Sequence, residues 1–397
     1  MSAAVEIPQE VAEQVIDFLH NNPQALKACS LVCRAWVPRC RSYLFETCNL
    51  VPKSIRVFSE FLVSPNCTFL HHIRTITASR RRWHPHDHYF DTLAPELRRL
   101  AGVHAFETKL NTIGDATTVD SISLLPFTAA FAHVTRLVIV CNFDQPAPLL
   151  NVISHFAALQ HLCLRRDLVN QGFRVIMAAS SNVVPPAGLS SLTFNVDVVD
   201  PILTWFRASN NLHHVQSLVL PDGHIDQRSS DAFGQALPLM GNLHHLSISL
   251  SAFKHFTPDF SVHVNLRTLI MRDCMWDNAK LISKLVAPRL EHLTIEFYSR
   301  YAVVERHARR DWPALDVHLG AANFPRLLKV LFRCKIREHA RFLRENFVSL
   351  RAANILQVEP DPEDLSAVGF LEALPPPPPP PSLLPLPGPH HHSTLMG

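Results

Sequence analysis

"NLHHLSISL", residues 242–250, sets three apolar residues in a fixed rhythm: Leu243, two variable positions, Leu246, one variable position, Ile248. The alternation within Leu246-Ser247-Ile248 is the period-two pattern of a strand with one face buried. The phrase returns before it as Ile73-Ile76-Ala78, Val103-Phe106-Thr108, Val134-Leu137-Ile139, Leu159-Leu162-Leu164, Leu189-Leu192-Phe194 and Val215-Leu218-Leu220. After it come Leu266-Leu269-Met271, Leu290-Leu293-Ile295 and Leu327-Val330-Phe332. The central residues run from 76 to 330, so nine steps cover 330 − 76 = 254 residues, a mean near 28. Between phrases, stretches such as Val152–Ala158 and Asn278–Val286 carry helical spacing.

A single unit of this kind cannot bury its apolar face, whereas ten stacked units share one core. The phrase and its period resemble leucine-rich repeats, in which each unit supplies one parallel strand and a return segment. The steps vary from 23 to 37 residues, so the expected fold is α/β, an irregular leucine-rich-repeat-like solenoid over residues 51–350. Its three apolar residues point inward, so the alternate positions form the concave sheet face. On that face stand Arg136, His161, Arg165, Ser191, His245, Thr268, Arg272, His292 and Arg333, the expected substrate-binding residues. Arginine at both flanks would admit a segment carrying acidic or phosphorylated residues.

Upstream, residues 1–50 form a short helical module. Pro8 is placed to open a first helix, with Val11, Val15, Phe18 and Leu19 in one stripe. Asn22 and Pro23 open a second, in which Leu26, Cys29, Cys33 and Trp36 recur at steps of three, four and three until Pro38 ends or bends it. So few residues cannot bury this much apolar surface alone. Cys29, Cys33, Cys40 and Cys48 raise the question of zinc, but only the first pair has the short ligand spacing of a structural site. They read instead as small hydrophobes.

The stretch "IPQEVAEQVIDFLHNNPQALKACSLVCRAW" resembles an F-box, with Ile7-Pro8, Glu10-Val11, Ile16, Leu19, Leu26, Cys29, Val32, Arg34 and Trp36 at the family's positions. The resemblance implies docking onto the Skp adaptor of a cullin-RING (SCF) ubiquitin ligase. The adaptor-binding residues would be Ile7, Pro8, Val11, Val15, Leu19, Leu26, Val32 and Trp36. The repeat array would then bind a protein substrate, and the chain would need no catalytic residue, metal or cofactor of its own.

Other chemistry is weakly represented. "HPHDHYFD", His84–Asp91, faintly resembles a metallohydrolase signature, but a residue is missing between His86 and Asp87. With Arg80, Arg81 and Arg82 before it, a solvated loop fits better. Eleven glycines leave little material for phosphate-cradling loops, and no G-x-S-x-G occurs. A net charge of +3 is a weak bias for a nucleic-acid binder. No run of about 20 apolar residues would span a membrane. Nine cysteines without paired spacing, behind an N-terminus with no basic and apolar signal-like run, point to reduced thiols and an expected location in the cytosol or nucleus. The alternative to a ligase subunit is a repeat scaffold in which the N-terminal helices serve only as a cap.

Residues 300–351 hold twelve Arg/Lys against five Asp/Glu, 12 − 5 = +7. There Ile336, Ala340, Leu343 and Phe347 form one helix face and Arg337, Arg341 and Arg344 the other, a basic cap balanced by the acids from Glu359 onward. Residues 351–397 are expected to be an acidic, then proline-rich disordered tail, extended as polyproline II from Leu374.

Overall fold

The structure is a computed structural model and describes residues 7–79, 89–111, 128–142, 146–166, 183–196, 199–220, 225–250, 258–274, 279–297, 312–334 and 337–360. Twelve strands form one sheet, every pair parallel, in strict chain order from β1 to β12. They are β1 (Thr47–Leu50), β2 (Thr75–Ser79), β3 (Ala105–Asn111), β4 (Arg136–Asn142), β5 (His161–Arg166) and β6 (Ser191–Asn195). The second half comprises β7 (Ser217–Val219), β8 (His245–Ser249), β9 (Thr268–Cys274), β10 (His292–Phe297), β11 (Lys329–Cys334) and β12 (Leu356–Pro360). No described helix is long and apolar enough to cross a membrane.

The register settles why the rhythm recurs. Ile76, Phe106, Leu137, Leu162, Leu192, Leu218, Leu246, Leu269, Leu293 and Val330 are consecutive cross-strand partners. None of the thirty phrase residues is more than 8% exposed, so the whole pattern is core. A fourth anchor precedes each phrase by three residues: Leu70, Leu100, Phe131, Phe156, Pro186, Leu212, Met240, His263, Ala287 and Phe324. Its carbonyl accepts the N–H of the phrase's first residue at 2.9–3.3 Å in every unit, closing a turn before the strand. At the head of each strand a carbonyl accepts two successive N–H groups of the next unit at 2.8–3.1 Å, ten times from Glu46 to Glu291. These backbone bonds tolerate the variable steps, because the units meet at their turns and strands while the segments between them differ in length.

Two strands lie outside the expected phrases. Cys48 pairs with Ile76 as the first rung, and burial pushes its thiol up to about 12. It is a core residue of the sheet, with Phe45 three residues before it and Leu50 two after. The array also continues past 350, into the segment expected to be a disordered tail, because Leu356 pairs with Val330 and Val358 with Phe332. Exposed Ala353 occupies the phrase's first slot there, which hides the rung from an apolar pattern.

Thirteen helices are described: α1 (Gln9–Phe18), α2 (Pro23–Cys29), α3 (Val37–Leu44), α4 (Pro52–Val63), α5 (Tyr89–Thr92), α6 (Ala94–Leu97) and α7 (Pro146–Ser154). The rest are α8 (Asp200–Ala208), α9 (Gln227–Ala236), α10 (Ala279–Ile282), α11 (Trp312–His318), α12 (Arg337–Asn346) and α13 (Val348–Ala352). The helical spacing read at Val152–Ala158 and Asn278–Val286 corresponds to the end of α7 and to the short α10, with turns completing both stretches. Helix α12 buries Ala340 and Leu343, with Phe347 beyond its end, while Arg337, Arg341 and Arg344 stay exposed. The acid Glu359 balances Arg333 on the sheet and not this helix. Inside the last turn, buried Asp316 of α11 accepts the N–H groups of Ser349 and Leu350 at 2.6 and 3.0 Å, satisfying the first turn of α13.

The first three helices keep a separate small core of Ile16, Leu26 and Cys40, edged by Leu19, Cys29, Trp36, Tyr43 and Leu44. Two sequence expectations fail here. Pro8 is the N-cap of α1 and not its first helical residue. Helix α2 stops at Cys29, and Pro38 sits in the first turn of α3, where the missing N–H costs nothing, so it opens a helix where one was expected to end. Only Phe45 and Glu46 separate α3 from β1. Phe45 stacks on Phe69 at 4.7 Å, and Phe69 meets Phe61 of α4 edge-on at 5.8 Å.

Candidate functional site

Two surfaces carry the residues singled out by sequence. The first is on the three-helix unit. Ala12 and Ile16 of α1, and Leu19 just past its end, turn inward, so Val11, Val15 and Phe18, one position earlier at each step, turn outward. The expected single stripe is therefore two stripes. Ile7, Val11, Val15 and Val32 are exposed, and so are Phe18 and Leu31, at 88% and 86%. Leu26 is fully buried and supports the unit from inside, while Trp36 and Leu19 pack against the same small core and stay partly exposed. Pro8 is exposed beside Ile7.

Behind that face a polar clamp fixes α1 to α3. Asp17 accepts from Nε and Nη2 of Arg39 at 2.6 and 2.7 Å and from the Tyr43 hydroxyl at 2.9 Å. The bidentate arginine holds the Asp17 carboxyl below its ordinary range.

The second surface is the sheet face turned away from the core. Arg136, His161, Ser191, Ser217, His245, Thr268, His292 and Lys329 are consecutive register partners, so six of the nine expected substrate residues stand in one row. A middle row follows two residues on: Val138, Cys163, Thr193, Val219, Ser247, Ile270, Thr294 and Leu331, small or apolar throughout. Arg165, Arg272 and Arg333 lie in a third row, opposite Asn195, Ser249 and Glu296.

The arginines of that third row are not equivalent. Arg272 donates from Nη2 to the Leu220 carbonyl at 2.5 Å, reaching past β8 to the residue just after β7. It adjoins a β-bulge, where β9 has one residue more than β10 and Asp273 takes φ 51°. The Asp273 carboxylate accepts from the Ser249 hydroxyl at 2.5 Å. Arg333 lies between Glu296 at 2.7 Å and Glu359 at 3.4 Å. Both side chains are engaged inside the molecule. Arg136 and Arg165 are exposed, and neither has a hydrogen-bond or ion-pair partner among the described residues.

Among the described residues, no three His, Cys, Asp or Glu side chains gather as a metal set. Cys33 is exposed, Cys40 lies in the small core and Cys48 in the large one. His84–His88 and the tail from Leu374 lie outside the described residues. The carboxylate partners of Arg333 and the bulge beside Arg272 had no signal in the sequence pattern; the exposure of Phe18 did, since it continues the Val11–Val15 spacing.

No family model matches the chain, and no curated protein matches it. Among solved structures, it is similar to a Bacteroides fragilis protein determined as a Northeast Structural Genomics Consortium target, at 14% identity and a TM-score of 0.35. That match covers 80% of this chain and 74% of the other, and a likeness of this size carries no argument about fold or function.

Proposed function

We propose that the protein is a substrate-binding adaptor of an SCF-type ubiquitin ligase, working in the cytosol or nucleus. The three-helix unit would dock the Skp adaptor, and the open face of the sheet would hold the substrate protein. One observation carries this reading: a unit with only three fully buried core residues exposes six large apolar ones, Ile7, Val11, Val15, Phe18, Leu31 and Val32. That much exposed apolar surface on so short a stretch marks an interaction surface. It fits the F-box resemblance of the same residues, and it leaves the helices short of burial until a partner covers them.

The mechanism is proximity. Holding substrate and ubiquitin-loaded enzyme in one complex makes their encounter effectively intramolecular. The array supplies a long face with small floor residues and no need for a catalytic group.

Co-purification with the Skp adaptor tests the reading. Val11→Asp combined with Val15→Asp should abolish capture while leaving the array folded, since both side chains point to solvent. Because β1 begins at Thr47, the matching truncation removes residues 1–44. Undiminished capture by that truncated chain would overturn the proposal, and leave a repeat scaffold capped by three helices.

A further inference from the structure

We propose that the sheet face has a localised anion-binding subsite on β4 and β5, formed by Arg136 and Arg165 with His161, which takes an extended peptide segment bearing two negative charges about four residues apart. The inference rests on the reading of the open sheet face as the substrate surface, and it narrows that surface to one end and one chemistry.

Four arginines stand on this face of the described strands: Arg136, Arg165, Arg272 and Arg333. Arg272 is bonded to the Leu220 carbonyl, and Arg333 is held between two carboxylates. Arg272 is turned toward that carbonyl, and the charge of Arg333 is already offset by its two carboxylates. Arg136 and Arg165 have no such contact, and Glu107, on the strand beside Arg136, makes no ion pair with it. A guanidinium left unpaired on a structured surface has its full fork of donors available for a carboxylate or phosphate.

Position then sets the spacing. Arg136 is the register partner of His161, and Arg165 lies four residues farther along the same strand and face. Four residues of strand cover about 13 Å and adjacent strands are about 4.8 Å apart, so the two arginine Cα atoms are about 14 Å apart. An extended peptide advances about 3.3 Å per residue, which places matching acids about four residues apart. Between the arginines, Cys163 and Val138 form a low floor, with Thr193 on the next strand and Glu107, the partner of Val138 on β3, bounding it on the other side. Such a floor lets a backbone lie close while its acidic side chains reach outward to either end.

The probe is a peptide array on a serine and valine background, carrying two glutamates stepped from one to seven residues apart, with a parallel series carrying phosphoserine. Full-length protein is applied at low and at physiological salt. The expected result is a binding maximum near a spacing of four in at least one series, reduced at least tenfold in Arg136→Gln/Arg165→Gln. The double variant Arg98→Gln/Arg326→Gln loses the same charge from exposed sites off the sheet and should keep the maximum; circular dichroism and melting confirm that both variants fold. Signal that is flat with spacing in both series, or unchanged in Arg136→Gln/Arg165→Gln, overturns the proposal. So does tighter binding of a single-stranded oligonucleotide than of any peptide. Adaptor co-purification is read separately: its loss with a surviving maximum removes the ligase reading alone, and its presence with a flat array removes the subsite alone.

Discussion

The three-helix unit and the twelve-strand array solve the same problem with different success. In the array each unit lends its apolar residues to a neighbour on both sides, so thirty phrase residues all fall below 9% exposure. In the helical unit there are no neighbours of the same kind. Ile16, Leu26 and Cys40 are buried, while Val11, Val15 and Phe18 of the same small unit face water. The difference follows from surface-to-volume scaling: a short chain cannot enclose what it carries, and an open-ended stack can. Unburied apolar surface is thus the default of the first region. The array also exposes large apolar side chains, Val184, Val317 and Leu328 among them, but they are spread along its whole length, whereas the six of the helical unit fall between Ile7 and Val32.

Four experiments press on that contrast. The largest effect is expected for Leu246→Ala, at the centre of the stack, which should cost about 2–5 kcal/mol by denaturant unfolding because the cavity is walled by neighbouring rungs. Amide exchange within residues 7–44 should stay unchanged, since the small core is separate. If exchange there rises in step with the array, the two regions are one cooperative unit and the comparison fails.

Next, Asp316→Ala removes the acceptor for two N–H groups of α13. A loss of about 1–3 kcal/mol is expected, that being the usual cost of orphaned buried donors. Exchange should rise first in residues 348–360 and spread toward β11. Uniform loosening of all twelve strands would show that the array does not behave as a nearest-neighbour stack.

A smaller effect concerns pH. His263 occupies the fourth anchor position between Met240 and Ala287, is fully buried, and has no hydrogen-bond partner for either ring nitrogen among the described residues. The Met240 carbonyl that faces it already accepts the Leu243 N–H, and the charged group nearest in effect is Asp259. Burial lowers its pKa below the ordinary 6.5, as it does for His245 and His72. The folded state therefore binds its proton less readily than the unfolded one. Stability from this site is full above about pH 6.5 and is lost as the pH falls through that value toward the folded pKa. His263→Leu should flatten this acid limb and gain on the order of 1 kcal/mol at neutral pH by removing an unsatisfied polar group. An acid limb identical to that of the unaltered protein would show that other histidines carry it.

The smallest change belongs to the helical unit. Asp17→Asn weakens an exposed clamp, and surface ion pairs contribute little. Because the Asp17 carboxyl is held below its ordinary range, its contribution is present above about pH 4 and fades below that. Residues 7–44 should lose protection slightly at neutral pH and progressively less as the pH falls below about 4, while the array is unaffected. A loss as large as that of Leu246→Ala would mean that the clamp, and not the small core, holds the three helices.

How much of this was legible beforehand varies by residue. The phrase around Leu246 was enough to place ten strands, their shared face and the row from Arg136 to Lys329. Period-two alternation is local, and repetition fixes register once one rung is set. Cys48 and Leu356 escaped because their rungs carry a cysteine at the centre or an alanine at the first slot. Pro38 misled because proline ends one helix and opens another with equal ease, and only the packing of Trp36 into the small core chooses between them.

The amino-acid sequence alone determined a parallel α/β repeat, an N-terminal unit too small for its apolar load, and the residues that line the open face. Tertiary structure alone decided which of those residues remain available. Arg272 and Arg165 look alike in the repeat, yet one reaches past β8 to a carbonyl 52 residues away and the other reaches nothing described. Likewise Arg333 is neutralised by Glu296 and Glu359, 37 and 26 residues distant. Alternation is a property of one strand and can be read from it. Pairing of long side chains depends on strand register, on a single inserted residue and on where a neighbouring strand ends, and those are set only when the stack has closed.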